Sequence, residues 1–186
     1  MTIIGDSIIK YIRMQHVRTQ ARSGATLRLL EQDILSRQVD LAGFGTIVVH
    51  VGTNDVANGG TETGMLERYK DLARAIKLYS DTESELIFSA IIPSWYRDGR
   101  SDGVVHRVNK RLITWHNQQG GVCSRTFSIF RREHKILPDM YAMDRLHLSR
   151  KGVAALTEYF KSHTTPGYLK TLRMVVAGRQ GQQRWK

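Results

Sequence analysis

The chain has 186 residues, of which 41% are hydrophobic and 24% charged, and these values fit one globular domain. No apolar run approaches the ~18 residues that a membrane-spanning helix needs. Lys10 and Arg13 follow the first apolar segment instead of preceding it, which is not the order found in a signal peptide. Cys123 is the only cysteine, so an intrachain disulfide is excluded. We therefore expect a cytoplasmic or nuclear protein that is neither secreted nor membrane-spanning.

Positive charge is concentrated in the second half of the chain. Residues 1–96 hold 10 Lys/Arg and 11 Asp/Glu, whereas residues 97–186 hold 18 and 6. Such asymmetry indicates a polyanion, RNA or DNA, or an anionic membrane surface as partner; the alternative is a basic protein with no such partner. The candidate contacts are the basic residues of the second half: Arg131, Arg132, Lys135, Arg150, Lys151, Lys170, Arg173, Arg179, Arg184 and Lys186.

Strand and helix patterns alternate along the chain. Residues 46–51 are β-branched nearly throughout, as in a strand covered on both faces. Residues 63–79 carry apolar side chains at helical spacing. In chain order the predicted elements are strand 2–5, helix 7–13, strand 17–21, helix 26–36, strand 46–51, helix 63–79, strand 86–92, helix 101–119, strand 122–130 and helix 149–160.

This alternation predicts βαβ units and a fold of the α/β class. We expect a three-layer α/β/α sandwich around a mainly parallel sheet of about five strands. The domain is predicted to span residues 1–165, followed by a basic, flexible C-terminal tail at 166–186. Ligands of such folds bind beyond the carboxyl ends of the strands, so the residues that follow each strand are the candidates for a site.

Four segments at such positions carry residues suited to chemistry. Ser7 follows the first strand, although serine there is commonly a helix N-cap. Gly24 follows the second strand, where it either lets a backbone N–H face a ligand or only forms a turn. Asn54 follows the third strand, as an amide donor or part of an Asn-Asp turn. Asp144 and His147, three residues apart, form either an acid–base pair or a structural salt bridge.

Together and in this order, the blocks Gly5-Asp6-Ser7, Gly24, 52–55 and 144–147 resemble the SGNH/GDSL serine esterase superfamily over residues 2–162. The resemblance implies the flavodoxin-like SGNH hydrolase fold, with Ser7 as nucleophile, His147 as base and Asp144 orienting it. It also implies an oxyanion hole formed by the N–H groups of Ser7 and Gly24 and by the side-chain amide of Asn54. Neither a metal nor an organic cofactor is implied, and the sequence lacks metal-ligand spacings such as His-Glu-x-x-His. A Gly-x-Ser-x-Gly elbow is also absent, which disfavours the α/β-hydrolase fold.

Three stretches, 48–55, 108–112 and 146–149, are more specifically similar to SGNH domains in first-open-reading-frame proteins of LINE-type retrotransposons. Those proteins are RNA-associated, so this resemblance implies an esterase domain of a larger protein that oligomerises through other regions. A rival hypothesis is a nucleic-acid-binding module whose hydrolase site is idle or secondary. A third hypothesis is attachment of a lipolytic domain to anionic lipid.

The expected substrates are acyl esters, with acetyl and lipid esters as the candidates. Trp95 and Tyr96, after the fourth strand, are predicted to line a substrate pocket; the alternative is packing on the core. His50 lies inside a buried strand and is predicted to be a packed histidine. Asp139 and His134 are the alternative acid–base pair if 144–147 is not one.

Overall fold

The computed structural model describes residues 1–93, 100–133 and 135–164. Five strands form one sheet in the order β2-β1-β3-β4-β5, and every neighbouring pair is parallel. The five-stranded parallel sheet that the sequence predicts is therefore confirmed. The strands are β1 (Thr2–Gly5), β2 (Arg18–Ala21), β3 (Thr46–His50), β4 (Glu85–Ser89) and β5 (Val122–Ser124).

Helices cover both faces of this sheet. The helices are α1 (Leu27–Leu35), α2 (Thr53–Ala57), α3 (Glu62–Tyr79), α4 (Arg100–Gln118) and α5 (Arg150–His163). Buried apolar residues of α1, α3 and α4 form one cluster with the strand residues on one face of the sheet. Those of α5 form a second cluster with the strand residues on the opposite face. The α/β fold class is thus confirmed, with a separate core on each face of the sheet.

Several predicted boundaries differ from the structure. The predicted helix 7–13 is only the single 3-10 turn Ser7–Ile9, and the predicted strand 122–130 ends at Ser124. A 3-10 helix, Thr126–Phe130, follows because Thr126 is buried and its hydroxyl donates to the Ala90 carbonyl at 2.7 Å, which turns the chain out of the sheet. Not predicted were α2 and the short antiparallel pair β6 (Arg131–Arg132) and β7 (Lys135–Ile136).

The strand order places a topological switch at β1. The chain leaves β1 toward β2 on one side and later returns to β3 on the other, and such a point opens a crevice at the carboxyl ends of the strands. Gly5 ends β1 with φ of 156°, and a Cβ there would lie 1.8 Å from the His50 carbonyl oxygen. The Asp6 N–H donates to that same carbonyl at 3.1 Å, so the exit from β1 lies directly against β3.

Candidate active site

Ser7 is the first residue of the 3-10 turn after β1, and it is half-buried. The N-cap of this turn is Asp6, whose Oδ1 accepts from the Ile8 N–H at 3.0 Å. The capping role considered for Ser7 is therefore filled by its neighbour. Ser7 Oγ lies 3.1 Å from Nε2 of His147, a residue 140 positions further along the chain.

His147 is held from its other side by Asp144. The Asp144 Oδ2 lies 2.6 Å from His147 Nδ1, and Oδ1 accepts the Leu146 and His147 backbone N–H groups, both at 2.9 Å. The hydrogen bond from His147 is the largest cause that lowers the pKa of Asp144 to about 2, with the backbone donors next. An ionised Asp144 favours a proton on Nδ1, which leaves the Nε2 lone pair facing Ser7.

The loop that carries Asp144 and His147 is closed by backbone pairing. Tyr141 and Leu148 form an antiparallel bridge, and the Ala142 N–H donates to the His147 carbonyl at 2.8 Å. The Tyr141 hydroxyl donates to the Pro93 carbonyl, which joins this loop to the segment after β4. The acid and the base are consequently positioned as one unit.

Gly24 lies on the loop after β2, and Asn54 lies in the first turn of α2, directly after β3. Asn54 Nδ2 donates to the Ala25 carbonyl at 2.9 Å, which uses one of its two amide hydrogens. The Arg22 N–H donates to the Gly5 carbonyl at 2.9 Å, and this bond fixes the start of the Gly24 loop beside the exit from β1. In the described part of the chain, neither the Ser7 nor the Gly24 N–H group makes a hydrogen bond.

Asp55, also in α2, joins this helix to the start of α1. Its oxygens accept the Leu27 N–H at the start of α1, at 3.0 and 3.2 Å. A carboxylate is favoured at a helix N-terminus. Burial is nevertheless the largest influence on Asp55 and raises its pKa.

Asp6 is a site residue that sequence reasoning treated only as part of a motif. It is fully buried, and its Oδ1 accepts from the Ile8 N–H. Burial raises the pKa of Asp6 to about 7, and the nearby Asp55 adds to this increase, while the Ile8 and Thr53 N–H groups and His147 oppose it. The adjacency of Asp6 to Ser7 was the available signal, but its burial follows from packing that the sequence does not display.

The other titratable candidates that the structure describes make no hydrogen bond to Ser7. His50 is buried, as predicted, and its Nδ1 lies 2.7 Å from Ser89 Oγ; burial lowers its pKa to about 4. Asp139 pairs instead with Lys151 at 2.5 Å. His134 of the alternative pair lies outside the described residues, as do Trp95 and Tyr96 of the predicted pocket. The tail and its basic residues from Lys170 onward also lie outside them.

Neither a metal cluster nor a membrane span is found in the described residues. Among residues 1–93, 100–133 and 135–164, no three His, Cys, Asp or Glu residues cluster in a way that could hold a metal ion. Within the same ranges, no helix has the length and apolar character needed to cross a bilayer.

A parallel α/β sheet with a hydrogen-bonded serine, histidine and aspartate at its carboxyl edge is typical of serine hydrolases. The model of the GDSL-like Lipase/Acylhydrolase family matches residues 3–155. The chain belongs to this family, and it is a hydrolase of the esterase kind.

Two of the similar solved structures share the fold at low sequence identity. A G-D-S-L family lipolytic protein from Veillonella parvula superposes with a TM-score of 0.72 at 13% identity, covering 87% of this chain and 95% of that one. A GDSL-like lipase from Bacteroides thetaiotaomicron gives 0.66 at 19% identity, covering 87% and 85%. The esterase domain of the ORF1 protein from the zebrafish ZfL2-1 retrotransposon gives 0.49 at 26% identity, covering 87% and 96%. No curated protein is significantly similar in sequence.

Proposed function

We propose that this domain hydrolyses acyl esters with Ser7 as nucleophile, His147 as general base and Asp144 as the residue that orients His147. The observation that carries the proposal is the continuous pair of contacts, 3.1 Å from Ser7 Oγ to His147 Nε2 and 2.6 Å from His147 Nδ1 to Asp144 Oδ2. Both distances lie in the range needed for proton transfer and orientation.

The reaction takes place in two halves. Ser7 Oγ attacks the carbonyl carbon of the ester while His147 Nε2 takes the hydroxyl proton. The tetrahedral intermediate collapses, the C–O bond to the alcohol breaks, and His147 returns its proton to the leaving alcohol. Water then attacks the acyl carbon while His147 takes its proton; the bond from the acyl carbon to Ser7 Oγ breaks, His147 returns the proton to Oγ, and the carboxylic acid leaves.

The negative charge of each intermediate requires donors at the carboxyl edge of the sheet. We assign this role to the N–H groups of Ser7 and Gly24 and to the second amide hydrogen of Asn54. The support is that these hydrogens make no hydrogen bond in the described residues, while Asn54 is held in place by its bond to Ala25. One such donor contributes about 3 to 4 kcal/mol to the transition state.

The proposed substrates are acetyl or lipid esters, with Trp95 and Tyr96 as proposed pocket residues. A finer proposal is that the domain belongs to a retrotransposon protein of LINE type. Its support is the resemblance of residues 48–55, 108–112 and 146–149, together with the basic second half of the chain.

Ser7→Ala tests the function directly. Hydrolysis of short-chain aryl esters is expected to fall by several orders of magnitude, and labelling by a serine-directed fluorophosphonate is expected to disappear. Ser162→Ala, an exposed serine on α5, is the matched control and should keep both signals. Equal rates for wild type and Ser7→Ala would remove Ser7 from the mechanism.

A second proposed function is nucleic-acid binding, and the hairpin β6–β7 favours it. Its register sets Arg132 opposite Lys135, both exposed, and neither forms an ion pair within the described residues. Like charges facing each other across a strand pair are unfavourable unless an anion binds between them. A phosphate backbone would supply that anion.

The test is the salt dependence of single-stranded RNA affinity. The double variant Arg132→Gln/Lys135→Gln is expected to lower the slope of log affinity against log salt by ~0.7 for each phosphate that it no longer binds. Arg74→Gln/Lys77→Gln removes the same charge from exposed positions on α3 and should bind like wild type. Affinity that is absent or independent of salt would exclude this function. Binding to anionic but not neutral vesicles, without RNA affinity, would favour the membrane alternative.

A further inference from the structure

A cavity of about 280 Å³ lies between α4 and the segment that follows β5. None of the five residues of the candidate active site lines it. Its apolar wall is formed by Val105 and Ile113 on α4, by Phe127 and by Pro93. Ligand sites typically occupy about 300 to 1000 Å³, so this cavity has the size of a small site.

One polar residue of the wall is already satisfied. The Asn109 side chain is buried; its Oδ1 accepts the Ile91 N–H and its Nδ2 donates to the Ile91 carbonyl, both at 2.8 Å. These two bonds use the Oδ1 and one of the two amide hydrogens of Asn109. The interior of the cavity is suited to an apolar group.

Positive charge surrounds this apolar wall. Lys110 and Arg125 both line the cavity and are exposed, and neither forms an ion pair in the part of the chain that the structure describes. Arg131 also lines it but is paired with Asp102. The long stems of lysine and arginine pack against apolar surface while their charged ends stay in water.

We propose that this cavity binds a single-chain anionic amphiphile. The alkyl chain occupies the apolar space between α4 and Phe127, and the carboxylate or phosphate head is held by Lys110 and Arg125. Charge complementarity selects an anionic head, and the volume selects a short or medium chain. The site is separate from the residues proposed for ester hydrolysis, so a negative result for one proposal leaves the other unaffected.

Decanoate, titrated into ¹⁵N-labelled wild-type protein, tests the location. We expect chemical-shift changes in the amide signals of residues 105–114 and 125–131. We do not expect changes limited to the candidate active site, at residues 5–7, 23–25, 52–55 and 144–147. Inorganic phosphate alone and decyltrimethylammonium should each bind at least about tenfold more weakly, because each lacks one half of the recognition. Shifts only at the candidate active site, or equal binding of the cationic detergent, would overturn the proposal.

Charge-removing variants distinguish binding at this site from non-specific attraction to a basic protein. Lys110→Gln/Arg125→Gln is expected to weaken decanoate binding by about tenfold or more. The matched control Arg107→Gln/Arg111→Gln removes the same charge from α4 at two residues that pair with Glu62, and it should bind as wild type does. Equal weakening in both pairs would show non-specific attraction and overturn the proposal. The amide spectrum verifies the fold of each variant.

Discussion

Gly5 is the residue whose identity the fold restricts most clearly. Its φ of 156° lies where side chains are rarely tolerated, and a Cβ would overlap the His50 carbonyl oxygen at 1.8 Å. We expect Gly5→Ala to lower the free energy of unfolding by more than about 4 kcal/mol, since either β1 or β3 must shift. Chemical denaturation measures this loss.

Gly43→Ala is the control for that substitution. Gly43 also has a positive φ, 75°, but a Cβ there meets no atom within 4 Å. Only backbone strain remains, so the expected loss is about 1 kcal/mol. Similar losses for the two variants would contradict the steric account of Gly5.

Asp144→Asn probes orientation of the base without changing shape. The amide oxygen can still accept the Leu146 and His147 N–H groups, but the amide nitrogen no longer favours a proton on His147 Nδ1. We expect kcat to fall by about 10⁴ and the melting temperature to change little. Asp139→Asn loses only the surface pair with Lys151 and should retain wild-type turnover. Unchanged turnover in Asp144→Asn would exclude 144–147 as the acid–base loop.

At the scale of elements, Asn109 joins α4 to the end of β4. Its two hydrogen bonds to Ile91 satisfy backbone groups that lie beyond the last residue of the strand. Asn109→Leu would leave both groups buried without partners, at a cost of about 1 to 3 kcal/mol each. We therefore expect denaturation to show a loss of about 2 to 6 kcal/mol, against less than about 0.5 kcal/mol for the exposed Gln118→Ala on the same helix. Comparable values would contradict this role.

At the scale of the whole molecule, two buried groups change the free energy of unfolding with pH in opposite directions. The pKa of Asp6 is about 7 in the folded state, against 3.8 for an ordinary carboxyl. Its contribution to the free energy of unfolding therefore falls as pH rises between these two values. His50 remains neutral down to about pH 4, against 6.5 ordinarily, so its contribution rises with pH in that range. The two slopes oppose each other between pH 4 and 6.5.

Asp6→Asn should expose this compensation. The slope of unfolding free energy against pH is expected to become more positive than in wild type by about 1.4 kcal/mol per pH unit between pH 4 and 7. Urea denaturation at several pH values measures the slopes. Parallel profiles for the two proteins would show that Asp6 ionises normally.

The sequence predicted the sheet because β1, β3 and β4 are largely apolar and the strands are separated by helical periodicity. It also indicated Ser7, Asn54 and His147, since each follows a strand or precedes a helix within a recognisable block. The 3-10 helix at Thr126–Phe130 was missed because it depends on tertiary hydrogen bonds of the buried Thr126 hydroxyl with the Ala90 carbonyl and with Ser89 Oγ. The ionisation of Asp6 was missed for a similar reason: it depends on burial created by residues distant in sequence. Local pattern thus predicts elements, whereas contacts across the fold decide where they end.

The 140 positions between Ser7 and His147 have a consequence for synthesis of the protein. All five strands of the sheet lie within the first 124 residues, while Asp144 and His147 come later. A nascent chain that has emerged from the ribosome only as far as residue 140 contains the complete sheet and its serine, yet has neither the acid nor the base. Under the proposed mechanism, the growing polypeptide can thus assemble its sheet while its nucleophile stays inert until residues 144–147 have also emerged.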